Sequence, residues 1–514
     1  HGVPATSRPA AAAVVGPTLT KADIQQGKDS NTAASTPQSN QENVEESGRK
    51  RKLKDRRPFD FSKYAKRHIA LRIAYFGWPY GGFASQGINE IKTVESELFN
   101  ALLAGRLIDD PQNCDYSRCG RTDRGVSGLG QVVALTVRSS LPKDSPFVIQ
   151  PKPEGEEGGA TETDKNNVEQ KTEEEQEREW AVLEAEESTK GELAYISMIN
   201  RLLPPDIRVL AWTPVPEDFN ARFNCDWREY KYFFPRGTID IDRMRLGAKK
   251  YLGAHDFRNF CKFDNTKEIT NYERVVLDIR IDPVPGYEFP EHSGRQFYEL
   301  TLRGTAFLWH QVRCMMSVLF TIGHGLEEPE VIDALMDVEN CPAKPTYDMA
   351  SDLPLVLYDC HFKRVKWLYQ TEVGVSSQND MMAMRLYRSM EDAWSSHMIK
   401  SLMYSRLLSR MDQATLLNIN EAGEKVKLGE HAEQNAHKET SISLGADLRM
   451  FMGKGYNKLM GRQKCLPIAE KSKRQQEKKR QKLALLDSEV NSSAENTDVD
   501  SSPAVVEKQT DATA

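Results

Sequence analysis

The sequence predicts an α+β fold built of two similar halves. Three observations predict it: segments of period-two apolar alternation, helical stripes at i, i+4 spacing, and the order in which the two follow each other. That order reads strand, helix, strand, then helix, strand, strands, helix, strand, which is one sheet-and-helix plan used twice. No internal repeat is visible at the level of residues.

The elements follow in chain order. Residues 1–62 are rich in Ala, Ser, Thr, Gln and Asn and are too polar to bury a core, so they are expected to form a disordered basic arm. Its cluster from Gly48 to Arg57 reads as a nuclear signal, an RNA-contacting arm or a solvated charge run. The N-terminal half, 63–217, opens with an alternating strand from Ile69 to Phe76 and a Gly-rich turn. A helix from Thr93 to Arg106 follows, with Val94, Leu98 and Leu102 as its stripe. A strand from Gln131 to Arg138, a helix from Ala194 to Leu203 and a strand from Ile207 to Trp212 complete this half. Residues 153–192 interrupt it as an acidic, disordered surface insert. In the C-terminal half, 218–365, Val275, Leu277, Ile279 and Ile281 alternate with Asp278, Arg280 and Asp282, and Tyr298, Leu300 and Leu302 alternate likewise. Both patterns predict antiparallel strands in a sheet with one wet face. Leu308, Val312, Met315 and Leu319 form a helical stripe that stops at Gly323 and Gly325. Residues 366–486 read as a helical and basic extension, helical over 381–413 and basic over 454–485, and 487–514 as a disordered acidic tail.

Charge is distributed unevenly. Residues 153–192 hold 15 Asp/Glu against 4 Lys/Arg, and 487–514 hold 7 against 1, so a net charge of −6 conceals a body at +11. Such a body suits a partner of opposite sign, such as a phosphate backbone, although charge alone fixes no fold. No apolar run approaches the ~18 residues of a membrane span, which excludes an integral membrane protein built on helices. The 8 cysteines form no Cys-x-x-Cys pair and no zinc-finger spacing, and read as reduced thiols of an intracellular protein in nucleus or cytoplasm. From His1 onward the first residues lack the layout of a secretory signal, and the chain is expected to begin inside a longer natural one.

Chemistry concentrates in three places. Residues 119–131, CGRTDRGVSGLGQ, place Asp123 between Arg121 and Arg124 in a Gly-rich loop that leads into a strand. Such a loop lets backbone approach a ligand and presents one carboxylate; the same spacing also fits an ordinary Asp–Arg pair with turn glycines. It is neither a Walker loop nor a dinucleotide fingerprint. From Phe219 to Phe234, Arg222, Arg228 and Lys231 interleave with Phe223, Trp227, Tyr230 and Tyr232. Cations can hold phosphates while an aromatic face stacks a base; alternatively this is a strand with aromatics inward and charges outward. From Arg303 to Met316, Arg313 stands on an apolar helix, where it must snorkel to water or meet an acid such as Asp123. His310 and His324 have no ligand-like companions and read as structural.

Taken in this order, the segments resemble the TruA-type tRNA pseudouridine synthases. GRTD-x-GV (Gly120 to Val126) matches that family's catalytic loop, and F-x-ARF with R-x-Y-x-Y matches Phe219 to Phe223 and Arg228 to Tyr232. GAHDFRNF (Gly253 to Phe260), FLWHQVR ending at Arg313, and DLPLVLYDC (Asp352 to Cys360) match further blocks. The opening block, Tyr75 to Gly87, departs from the bacterial pattern and resembles the eukaryotic branch that modifies tRNA positions 38 and 39. The resemblance covers about residues 66 to 362 apart from the insert. It implies a pseudouridine synthase fold of two α/β halves sharing a mainly antiparallel sheet, a central basic cleft, a homodimer and no cofactor. It also implies roles: Asp123 as catalytic carboxylate, Arg313 as its partner, Tyr230 stacking on the target uracil, Arg121 filling the space of the flipped base or holding a phosphate, and Leu353 as an apolar wall. Arg124, Arg222 and Arg228 join the substrate-binding set. Alternatives are a paralogous synthase with broader tRNA targets, an idle tRNA-binding or chaperone protein, and a hydrolase with Asp123 as nucleophile. The last lacks a second carboxylate or histidine base near the loop.

Overall fold

The computed structural model describes residues 59–85, 91–150, 172–184, 186–263, 269–287, 295–369 and 377–414, together with parts of 418–481. Most of the N-terminal arm, insert residues 151–171 and the acidic tail lie outside the described residues, and with them the expectations made for those segments.

The first half comprises β1 (Ala65–Tyr75), α1 (Val94–Ala104), β2 (Ser117–Arg118), β3 (Ser127–Ser139), α2 (Glu173–Leu183), α3 (Tyr195–Asn200) and β4 (Ile207–Pro214). Thr93 starts α1 with a reciprocal cap: its hydroxyl accepts the Ser96 N–H, and the Ser96 hydroxyl accepts the Thr93 N–H. The second half comprises β5 (Trp227–Pro235), α4 (Ile241–Lys249), β6 (Gly253–Asp256), β7 (Glu273–Pro283), β8 (Phe297–Gly304), α5 (Gln311–Gly323), α6 (Val331–Met336) and β9 (Leu355–His361). β10 (Leu368–Tyr369) and the 38-residue helix α7 (Ser377–Ala414) follow.

These strands form a single sheet in the order β10-β4-β1-β3-β9-β5-β8-β7-β6, with β2 beside β3. All neighbours are antiparallel except β3 and β9, which run parallel over two pairs, Ser127 with Val356 and Gly128 with Leu357. That short parallel seam joins the halves. Each half has its own core on one face of the sheet. Ile69, Leu71, Val133 and Leu135 pack with Leu98, Leu102 and Ile199, and Ile279, Leu300 and Leu302 pack with Met244, Met315 and Leu319.

The structure departs from the sequence reading in four respects. The second face is dry at the centre, because Ala70, Val132 and Ala134 pack with Phe219, Cys225, Leu357, Cys360 and Phe362. In β7 the register shifts between Val276 and Asp278, so Val276, Ile279 and Ile281 are buried while Leu277 is exposed; a bulge changes the phase that strict alternation assumes. Residues 172–192 of the acidic insert are built into the fold. Helix α2 opens with a Thr172/Glu175 capping box, Trp180 meets Phe219 edge-on at 6.1 Å, and buried Arg67 is answered by Glu192 at 3.3 Å. Acidic composition hides these anchors because the cation they serve lies more than a hundred residues away. Finally, no structural break falls at residue 365. β10 pairs with β4, and Ile442, Leu444, Met450 and Leu459 lie in the core of the second half. Glu327 ties this return by accepting the Leu459 N–H (2.6 Å) and the Tyr456 hydroxyl (2.8 Å). Among the described residues no helix is long and apolar enough to cross a membrane.

Candidate active site

Residues 119–126 carry the chain from β2 to the seam end of β3. The loop is clamped from below. The buried Gln131 amide accepts the Gly120 N–H (3.3 Å) and donates to the Gly120 carbonyl (2.9 Å), while Tyr75 and Thr122 share a hydroxyl hydrogen bond of 2.8 Å. The Phe83 N–H donates to the Thr122 carbonyl at 3.1 Å. Gly125 turns the loop with φ +80°, and a Cβ there would lie 1.9 Å from the Asp352 carboxylate, so both conformation and space require glycine.

This frame presents Asp123 with 21% of its side chain exposed. The Trp309 indole N–H donates to its Oδ1 at 3.0 Å, and His310 Nε2 stands 3.4 Å from its Oδ2. Burial pushes the Asp123 carboxyl up to about 6; Asp352 acts in the same direction, and Arg313, the Trp309 N–H and Lys262 oppose it. Burial pushes His310 down to about 3, aided by Arg313, Lys262 and Lys344. The ring is therefore neutral at neutral pH. Both carboxylate oxygens thus face residues of the turn that leads into α5, Oδ1 accepting the Trp309 N–H and Oδ2 lying near the His310 ring. His310 takes up the left-handed conformation there, with φ 61°, to make that turn.

Arg313 is not bonded directly to Asp123, which corrects the expected pair. Its Nε donates to the Ala350 carbonyl at 2.7 Å and its terminal nitrogen meets Asp352 at 3.2 Å. The guanidinium is nevertheless mostly buried, at 12% exposure, and its charge is the strongest influence opposing burial on Asp123. Asp352, reaching both Arg313 and Gly125, is the nearer acid because the 350–352 segment crosses the first turn of α5.

Arg228 is also placed differently from the sequence reading. It is buried and donates to four backbone carbonyls, those of Thr305 (2.6 Å), Arg222 (2.7 Å), Cys225 (3.2 Å) and Cys119 (3.3 Å). It is a structural knot that ties the loop around Asp123 to the second half, buried away from any phosphate. Arg121, Arg124 and Arg222 are exposed. Tyr230 lies on β5, partly buried and edge-on to Phe307 at 5.1 Å. Burial holds its phenol well above the ordinary range, with smaller contributions that include the charge of Asp123. Leu353 is exposed, and its carbonyl accepts the Trp78 indole N–H at 3.3 Å.

Sequence reasoning missed Trp309, His310 and Asp352. The signal available for the first two was their position just before a helix bearing a lone arginine. For Asp352 no local signal exists, because its partners lie on two distant segments. Chemically, the seam offers one recessed carboxylate held on one oxygen by the Trp309 N–H with His310 beside the other, a buried cation nearby, and an aromatic ring beside it.

Comparison with known proteins agrees with this arrangement. A family model described as tRNA pseudouridine synthase matches residues 248–363. A Bos taurus protein named tRNA pseudouridine(38/39) synthase is 40% identical over 418 residues, 80% of this chain and 77% of its own length. The chain belongs to the TruA-type tRNA pseudouridine synthase family. Two more proteins of the same name bear this out: one from Homo sapiens is 42% identical over 362 residues (70% and 67% of the two chains), and one from Saccharomyces cerevisiae 39% over 327 (63% and 64%). As a pseudouridine synthase it is an isomerase, and two α/β halves on one mainly antiparallel sheet are the fold of this family. The stretch matched by the family model holds Trp309, His310, Arg313, Asp352 and Leu353.

Proposed function

We propose that the protein isomerises uridine to pseudouridine at positions 38 and 39 of the tRNA anticodon arm. The observation that carries this reading is the setting of Asp123, a recessed carboxylate oriented by the Trp309 N–H, with His310 beside it, at the seam of a fold whose named relatives are (38/39) synthases. The target base must leave its stack to reach it, at a cost of about a few kcal/mol. Tyr230 then stacks on the uracil and Leu353 walls the pocket. Asp123 acts on the sugar, either by attacking the anomeric carbon or by removing a sugar proton, so that the base is released, turns and rebonds through carbon 5. Arg313, backed by Asp352, keeps part of the Asp123 population ionised in spite of its burial. Arg121 takes the place of the flipped base or holds a phosphate, and Arg124 and Arg222 hold the backbone. No step in this scheme calls for a cofactor.

The protein acts as a homodimer in the nucleus, the cytoplasm or both. Dimerisation is supported by α7, where Ile399, Met403, Leu407 and Met411 recur every four residues and are all exposed. Light scattering on the purified protein tests it. The enzymatic reading is tested by mapping pseudouridine at nucleotide resolution in tRNA from cells with and without the protein. Loss at 38 and 39 alone is the expected result; unchanged modification there overturns the reading, and loss at many other sites favours a broader paralogue.

A further inference from the structure

Two large aromatic rings stand in solvent beside the catalytic loop. Phe76 is 39% and Trp78 50% exposed, and they stack on each other with centroids 5.2 Å apart at 29°. Exposed aromatics are common singly, but this pair is held rigidly. The Trp78 indole N–H is fixed to the Leu353 carbonyl at 3.3 Å. Gly77, between the two, donates its N–H to the Ser127 hydroxyl at 3.0 Å and lies so close to Val126 that a Cβ would fall 1.9 Å from the Val126 carbonyl oxygen. Farther along, the Gly125 N–H reaches the Tyr80 carbonyl at 3.4 Å and the Phe83 N–H the Thr122 carbonyl at 3.1 Å. The segment carrying the rings is thus laid along the loop that carries Asp123, contact by contact, so the rings keep a fixed position relative to the carboxylate.

We propose that the Phe76–Trp78 stack is a second base-binding subsite, taking an unpaired nucleobase of the RNA next to the flipped uridine. The inference rests on the proposed activity and extends it. A nucleobase fits because its π-face matches an exposed ring of any sequence context, and because Arg121 and Arg124, exposed on the same loop, supply charge complementary to the flanking phosphates. Rigidity matters as well: a platform that is already ordered costs little entropy when the base lands. Stacking there holds the strand open after the target has turned out.

The experiment uses the purified full-length protein with intact tRNA and with a set of tRNAs that each carry one abasic nucleotide in the anticodon loop. Trp78→Ala weakens tRNA binding about 10-fold, within the range produced by removing one base-stacking aromatic, while Trp78→Phe stays within about 3-fold. Phe76→Ala gives a smaller loss. One abasic tRNA weakens wild-type binding by a similar factor yet weakens Trp78→Ala no further, which identifies the stacked base. The proposal is overturned if Trp78→Ala binds within two-fold of wild type, or if every abasic substitution affects both proteins equally. Should wild-type protein form no pseudouridine at 38 or 39 in intact tRNA, the activity reading fails; should it form it with Trp78→Ala unimpaired, only the subsite fails.

Discussion

The segments around Arg228 and Arg313 look alike in sequence, each a guanidinium among aromatic and apolar residues, yet the fold uses them oppositely. Arg228 spends its donors on four backbone carbonyls. Arg313 spends one on a carbonyl, gives another to Asp352, and leaves its charge acting on Asp123. A sequence reveals that a buried cation needs partners, but not whether they carry charge. A guanidinium satisfied by carbonyls ties down loops; one satisfied by a carboxylate beside a second carboxylate sets an electrostatic field.

The largest effect expected of any single change is at the group that field acts on. Asp123→Asn is near-isosteric, leaves the proposed phosphate contacts in place and removes the carboxylate proposed to react, so activity should fall on the order of 10³-fold or more while tRNA affinity stays within a few-fold. Turnover near the wild-type rate would remove Asp123 from the mechanism. The wild-type kcat/KM should rise with pH through about 6 as Asp123 ionises, then level off. The stability consequence has a definite sign. A carboxyl held above its unfolded value favours the folded state while protonated, so stability is lost as pH climbs from about 4 to about 6. Asp123→Asn removes that penalty and should be more stable than wild type at pH 7, by up to about 3 kcal/mol.

The two arginines come next. Arg313→Met withdraws the main cation opposing burial, so the kcat/KM midpoint should move above 6 and activity at pH 7 should drop roughly 10- to 100-fold, recovering in part at higher pH. Arg228→Met leaves four carbonyls without their donor, at roughly 1 kcal/mol each, so the melting temperature should fall sharply. Its midpoint should stay near 6 and its rate per folded molecule within a few-fold. If Arg228→Met moved the midpoint as far as Arg313→Met, the contrast between the two segments would collapse.

The same contrast marks how much was legible beforehand. Most strands, the helices α1, α3 and α5 and the loop around Asp123 could be read because they rest on local periodicity and on a dense run of residues, whereas α2, α4 and α6 were not anticipated. The roles of Arg228, Asp352 and Glu192 could not, because each is set by a partner on a remote segment: Cys119 and Thr305 for Arg228, Gly125 for Asp352, Arg67 for Glu192. Leu277 was misplaced by one bulge. His310 was read as structural because no companion stands near it in sequence; its companion is Asp123, brought in by the seam.

The smallest expected effect is at Trp309, and it is the finest probe of what surrounds the carboxylate. Trp309→Phe keeps an aromatic face for Lys262, which stands 5.1 Å from the ring, and removes only the indole N–H that reaches Asp123. A hydrogen bond of this kind is worth about 1 kcal/mol, equivalent to somewhat less than one pKa unit. Loss of a donor to the ionised form makes ionisation harder, so the midpoint of kcat/KM should move up from about 6 by roughly half a unit. Activity should therefore fall about 2-fold at pH 6 and hardly at all at pH 8, where Asp123 is ionised in either protein. A loss equal at both pH values would mean that Trp309 shapes the pocket without tuning the acid. No loss at either would mean that the Trp309 N–H does not set the ionisation of Asp123. Comparing the Trp309→Phe and Arg313→Met profiles then separates what one directed hydrogen bond does to the carboxylate from what an undirected charge does at longer range.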